Sequence, residues 1–198
     1  METLKFGIND PAPHHAPGLA NVEVRIGTLC NYCGLSAGLH AIRIGKALSC
    51  VLCGFVQSLY RTTIDEELRL IWLPEMSQAA LNVLVRQIHI DLQELGESVY
   101  CDDTPKKPNG MRSALYTAQR ILRERGETIA ERLGSSRASD LADALTVLAD
   151  RHLGLQNLPW GGLRAFPTGR FYAGGVNVYD EIVSSWRGKN EAPIKEVA

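Results

Sequence analysis

Cys30-Asn31-Tyr32-Cys33-Gly34-Leu35 and Cys50-Val51-Leu52-Cys53-Gly54-Phe55 repeat one pattern, Cys-x-x-Cys-Gly followed by an apolar residue, and use four of the five cysteines in the 198-residue chain. A Cys-x-x-Cys pair on a tight turn points both sulfurs the same way, and the glycine after it accepts the positive φ that such a turn demands. Two such turns supply the thiolates of a tetrahedral zinc site, with Cys30, Cys33, Cys50 and Cys53 as ligands. Four thiolates leave no coordination position for water or substrate. The pattern therefore implies one structural Zn2+ and no catalytic residue.

Other uses of the cysteines fit less well. Disulfides need an oxidising compartment. Met1 to Pro17 is polar, holds three prolines and two histidines, and lacks the basic, apolar and small-residue regions of a secretory leader, which points to the cytoplasm. A thioredoxin-type redox motif uses one Cys-x-x-Cys at a helix start, not two related copies either side of a 16-residue insert. Cys101 has no neighbouring cysteine and reads as a packed, inert thiol.

With 45% hydrophobic and 22% charged residues, the chain can bury a substantial core and is expected to form one compact unit. No apolar run approaches the ~20 residues that span a bilayer, so membrane association would run through a partner. A net charge of −1 argues against a dedicated nucleic-acid binder. The charge is nonetheless uneven. Residues 61–104 carry nine acids against three Lys/Arg, and residues 105–137 carry eight Lys/Arg against three acids. Two solvated helix faces explain this, as does a basic surface that attracts an acidic segment or phosphates.

Alternation predicts short strands at Val22–Ile26, before the first knuckle, and at Leu39–Ile44, with Gly45-Lys46 as the following turn. Phe55–Tyr60 reads as a short helix, and Leu68–Leu73 as a strand stopped by Pro74. Ser77 is an N-cap for a helix whose apolar stripe is Leu81, Leu84, Val85, Ile88, Leu92 and Leu95 and whose stop is Gly96. His89 and Asp91 lie off that stripe and are expected to be exposed. After a turn-rich loop at Asp102–Gly110, helices are expected from Met111 to Arg125, stopped by Gly126, and from a cap at Ser139 to near Gly154. Leu158–Tyr172 mixes aromatics with prolines and glycines and reads as irregular. Tyr179–Trp186 reads as a last helix, and Gly188–Ala198 as frayed. The expected fold is α+β: an irregular segment 1–20, a ββα-metal or zinc-ribbon unit over 21–73, and a mainly helical region with an irregular tail over 74–198.

Motifs of phosphate cradles, serine nucleophile elbows and His-Glu-x-x-His metalloproteases are absent. An HNH-type nuclease would need a histidine base on the strand between the knuckles and a second cation held by the following helix. Here those places offer His40, Gln57 and Ser58, which do not assemble that chemistry.

The order of a Tyr-Cys-Gly knuckle, a second Cys-x-x-Cys, and then Leu70-Ile71-Trp72-Leu73-Pro74-Glu75-Met76-Ser77-Gln78-Ala79-Ala80-Leu81-Asn82 resembles the DotN (IcmJ) family of the type IVB secretion coupling complex and related conjugation systems. The likeness is fullest from Val24 to Leu95, weaker after Pro108, and reappears at Leu163–Pro167 and Ser185-Trp186. It does not extend to the first 20 residues or to Gly174-Gly175, and the insert between the knuckles is short for that family. The resemblance implies an HNH-like zinc fold without nuclease activity. It also implies a cytoplasmic adaptor, peripheral to the bacterial inner membrane, that binds the C-terminal extension of the coupling ATPase with other coupling-complex subunits and helps recruit substrates. Two other functions are set against it. One is a nucleic-acid-binding zinc ribbon using Lys106, Lys107, Arg112, Arg120, Arg123 and Arg125. The other is a metal-dependent nuclease using His40.

Overall fold

Alternation in Leu68-Arg69-Leu70-Ile71-Trp72 yields a strand that sits at the centre of the computed structural model, in which residues 27–106, 109–150 and 160–187 are described. The chain runs β1 (Ile42–Ile44), β2 (Ala47–Ser49), α1 (Val51–Gln57), α2 (Ile64–Glu67), β3 (Leu68–Trp72) and α3 (Gln78–Glu94). It continues through α4 (Gly110–Glu124), α5 (Gly126–Leu133), α6 (Ala138–Asp150), a 3-10 turn (Trp160–Gly162), β4 (Leu163–Pro167), β5 (Tyr172–Ala173), β6 (Val176–Asn177) and α7 (Tyr179–Trp186). The fold is mixed α/β, with small antiparallel sheets and a helical region.

β3 pairs antiparallel with β4, Leu68 opposite Pro167 and Trp72 opposite Leu163. Both faces of this ribbon are covered. Leu68, Leu70, Leu163 and Ala165 enter a core shared with Phe55 of α1, Ile88 and Leu92 of α3, Leu141 and Leu145 of α6, and Ile182 and Trp186 of α7. Ile71, Leu73 and Phe166 join Leu81, Val85, Cys101 and Leu122 in a second cluster. The free edge of β3 is closed as well: the amides of Leu70 and Trp72 donate to the carbonyls of Ser136 and Arg125, which flank α5. Covering an edge in this way removes unpaired backbone groups from solvent. Gly126 permits the approach, since a Cβ there would lie 3.2 Å from the Leu70 carbonyl oxygen.

The segment expected to be irregular at 158–172 thus contains β4 and opens β5. Local composition hid this because β4 is short and ends in Pro167, which needs no amide donor at a strand terminus. Gly174 and Gly175, with φ of 57° and 80°, make the two-residue turn that joins β5 to β6. Gly126 does not simply stop a helix; α5 restarts at that residue after a one-residue break at Arg125.

α3 begins and ends as its sequence indicates. Ser77 Oγ accepts from the Ala80 amide at 3.2 Å, and Gly96 adopts φ 70°. Its buried face is wider than the apolar stripe, however. Gln78, Asn82, Arg86 and His89 are all buried, whereas Leu84 is exposed. The reason is that further elements cover a second side of α3: Gln93 Nε2 donates to the Asp180 carbonyl of α7, Arg86 Nη1 donates to the Ser36 carbonyl beyond the first knuckle, and Gln78 meets Ala165 of β4. His89, expected at the surface, has no exposure and meets Tyr179 through Nδ1 at 2.8 Å.

The start of α6 is capped from a distance rather than by Ser139. Asp65 accepts from the Ser139 amide at 2.9 Å and from its hydroxyl at 2.6 Å, and pairs with Arg137 at 2.7 Å. The oppositely charged stretches meet each other: Arg112 pairs with Glu97, Arg123 with Asp102, and Arg125 with Glu75. Among the described residues, no helix is long and apolar enough to cross a membrane. The expectations for Val22–Ile26, for residues 1–20, for the end near Gly154 and for Gly188–Ala198 lie outside the described residues.

Candidate metal centre

The first knuckle is a loop closed by backbone hydrogen bonds. The Cys30 amide donates to the Leu35 carbonyl at 2.8 Å, the Gly34 amide to the Cys30 carbonyl at 3.0 Å, and Gly34 takes φ 75°. As the sequence implies, this position favours glycine. Asn31 locks the loop to β2, its amide donating to the Leu48 carbonyl at 2.9 Å and its Oδ1 accepting from the Leu48 amide at 2.7 Å.

The second knuckle is built differently. Cys50 is the N-cap residue of α1 and Cys53 lies in its first turn, so helical geometry rather than a glycine-supported turn brings their sulfurs together. Gly54 is helical, and its smallness serves packing: a Cβ there would lie 2.5 Å from Ile42 Cδ1 on β1. The helix thus begins four residues earlier than Phe55 and ends at Gln57, before Tyr60. The strand expected over Leu39–Ile44 is shorter than its alternation suggests. His40 takes φ 56° in a turn, and β1 starts only at Ile42.

These elements bring Cys30, Cys33, Cys50 and Cys53 together, with all four sulfurs within 4.8 Å of one another. Four sulfurs at about 2.3 Å from a tetrahedral ion stand about 3.8 Å apart; Cys33 Sγ and Cys50 Sγ are separated by 3.9 Å. The donor set and spacing fit one metal ion. Cys30, Cys50 and Cys53 are buried and Cys33 is half-buried, so solvent approaches from one side only.

Electrostatics point the same way. Without a cation the four sulfurs cannot all carry charge: Cys33 is lowered to about 7, while the other three are split more widely. Hydrogen bonds from Cys33, then Cys50 and Cys53, hold Cys30 far below the ordinary thiol range, and contact with Cys30 drives Cys50 and Cys53 far above it. Four thiolates coexist here only around a cation.

A polar chain behind the sulfurs escaped sequence reasoning. Asn82 Nδ2 donates to Cys53 Sγ at 3.3 Å. Gln78, one turn earlier on α3, donates from Nε2 to Asn82 Oδ1 at 2.9 Å and to the Ala165 carbonyl at 2.8 Å, and its Oε1 accepts from the Ala165 amide at 2.8 Å. The metal site is thereby joined through α3 to β4. The available signal was an i, i+4 pair of amide side chains beside the apolar stripe, inside the Leu70–Asn82 block. Across the knuckles, the Tyr32 hydroxyl donates to Gln57 Oε1 at 3.2 Å.

His40 is half-buried with its ring 6.0 Å from Phe171, Gln57 is buried against Tyr32, and Ser58 is the C-cap of α1. Among the described residues, the cysteine quartet is the one convergent group of three or more potential metal ligands. Cys101 is buried in the second cluster, and burial pushes its thiol up to about 11, the behaviour of an inert packed cysteine.

No protein-family model matches the chain, and no curated protein matches it in sequence.

Proposed function

We propose that this chain is a non-catalytic, zinc-stabilised scaffold or adaptor of a type IV coupling complex, in a type IVB secretion or related conjugation system. In this reading it receives the C-terminal extension of the coupling ATPase, contacts other coupling-complex subunits and helps recruit substrates. It would work in the cytoplasm, at the inner membrane through the complex.

The observation that carries the proposal is the hydrogen bond from Asn82 to Cys53 Sγ. Gln78 and Asn82 belong to the Leu-Pro-Glu-x-Ser-Gln-x-x-Leu-Asn block on which the family resemblance rests, and both act behind the metal site. A shared chemical reason for that block supports the likeness. Zinc is the proposed ion because it has no geometric preference of its own to oppose a tetrahedral four-sulfur shell. The β1, β2, α1 order between and after the knuckles supports an HNH-like unit. A closed thiolate shell fits a structural role, since it offers no site for an activated water.

The nucleic-acid alternative loses support from the ion pairs. Arg112, Arg120, Arg123 and Arg125 each meet a carboxylate, which lowers the net positive field available to phosphates. The nuclease alternative would need His40 on a strand and poised beside a second cation, and His40 sits in a turn instead.

The test is co-purification of the zinc-loaded chain with the C-terminal extension of a coupling ATPase. Stoichiometric recovery is expected. No association with zinc bound would contradict the proposal, and steeply salt-dependent recovery of DNA would favour the nucleic-acid alternative.

A further inference from the structure

A buried charge is tolerated when an opposite charge faces it. Arg86, on α3, is 6% exposed, yet among the described residues no carboxylate lies within ion-pair distance of it. Its Nη1 donates to the Ser36 carbonyl at 2.7 Å, and its guanidinium carbon lies 4.7 Å from the centroid of the Trp186 ring. A carbonyl and an indole orient the group without neutralising it.

The surroundings nevertheless supply negative charge. Arg86 stands one helical turn beyond Asn82, whose amide touches Cys53 Sγ, and Ser36 bridges to Leu29 beside Cys30. Burial lowers the affinity of Arg86 for its proton, and the sulfurs of Cys50, Cys33 and Cys30 act in the opposite direction. Four neutral thiols would give a buried guanidinium nothing to balance. A divalent ion with four thiolates carries two net negative charges, which a buried arginine offsets in part.

We propose that Arg86 is the counter-ion of the cysteine metal centre and biases it toward a divalent rather than a trivalent ion. This inference rests on reading the four cysteines as a metal centre. Arg86 acts through the field it sets at the sulfurs, as a positioning residue held by Ser36 and Trp186. Removing its charge weakens the metal's hold, and in an iron-substituted protein it favours the ferric over the ferrous state.

The test uses the full chain, with zinc affinity measured by competition against a chromophoric chelator and the reduction potential measured after iron substitution. Arg86→Gln keeps a donor for the Ser36 carbonyl and loses the charge; Arg86→Lys keeps the charge and loses the planar stack on Trp186. Arg86→Gln is expected to bind zinc about 10- to 100-fold more weakly, and Arg86→Lys to stay within about threefold of the unaltered chain. The iron potential is expected to fall in Arg86→Gln and to hold in Arg86→Lys. Equal potentials in all three proteins, or an Arg86→Lys variant as weak as Arg86→Gln, would overturn the inference. If Arg86→Gln does not fold, Arg86→Lys decides by the same affinity criterion, binding within about threefold of the unaltered chain upholding the charge role and any larger loss overturning it. An unaltered chain that binds no metal would instead remove the metal-centre reading itself.

Discussion

Asn82 Nδ2 donates a hydrogen bond to Cys53 Sγ across 3.3 Å, between α3 and the first turn of α1. A donor to a metal-bound sulfur withdraws electron density and fixes the orientation of the ligand, and loss of such partners typically costs about 10- to 100-fold in metal affinity. Asn82→Leu fills a similar volume and removes the donor. It also leaves Gln78 without one of its buried partners. Chelator competition should show affinity falling within that range while the helical far-ultraviolet signal persists; unchanged affinity would remove Asn82 from the metal's surroundings.

Gly54 gives a test in which the sign is diagnostic. A glycine-to-alanine change inside a helix ordinarily stabilises by about 0.5–1 kcal/mol. Here the new methyl would meet Ile42 Cδ1 at 2.5 Å in a fully buried setting. Gly54→Ala should therefore destabilise by about 1–3 kcal/mol in denaturant unfolding. Adding Ile42→Val, which deletes that Cδ1, should recover part of the loss; additive losses in the double variant would show that the contact is not the cause.

His89 should shape the acid limb of stability. Burial lowers its pKa to about 3, against an ordinary value of 6.5. The unfolded chain therefore takes up a proton below about pH 6.5 that the folded chain refuses until about pH 3, so folded stability is full above this window and is lost as pH falls through it. The slope contributed by one such proton approaches about 1.4 kcal/mol per pH unit. His89→Gln retains a hydrogen-bond partner for the Tyr179 hydroxyl and does not titrate. Compared in excess zinc, the variant should lose less stability than the unaltered chain between pH 6.5 and pH 4; identical slopes would mean that His89 is hydrated.

These residues also mark where the sequence was legible. Ser77 and Gly96 announced helix boundaries because caps and stops act through hydrogen bonds to their own backbone neighbourhood. The cysteine quartet was legible because thiol pairs at that spacing have few other uses. β4 was not, since its partner β3 is remote in sequence and Leu163-Arg164-Ala165-Phe166-Pro167 is flanked by glycines and ends in proline. The interior places of Gln78 and Asn82 depend on β4 and the start of α1, and those of Arg86 and His89 on α7 and the first-knuckle loop, all folding over α3, a condition that no local periodicity encodes. Gly54 was read as a turn glycine by analogy with Gly34, although it sits in a helix and its role is to admit Ile42.

The central claim is a closed metal centre held by Cys30, Cys33, Cys50 and Cys53. X-ray absorption at the zinc edge tests it most directly on protein purified with its metal. The account predicts one zinc per chain surrounded by four sulfurs at about 2.3 Å and no nitrogen or oxygen neighbour. An oxygen or nitrogen in the first coordination shell would contradict it, because a centre open to water is no longer the inert brace on which the scaffold reading depends.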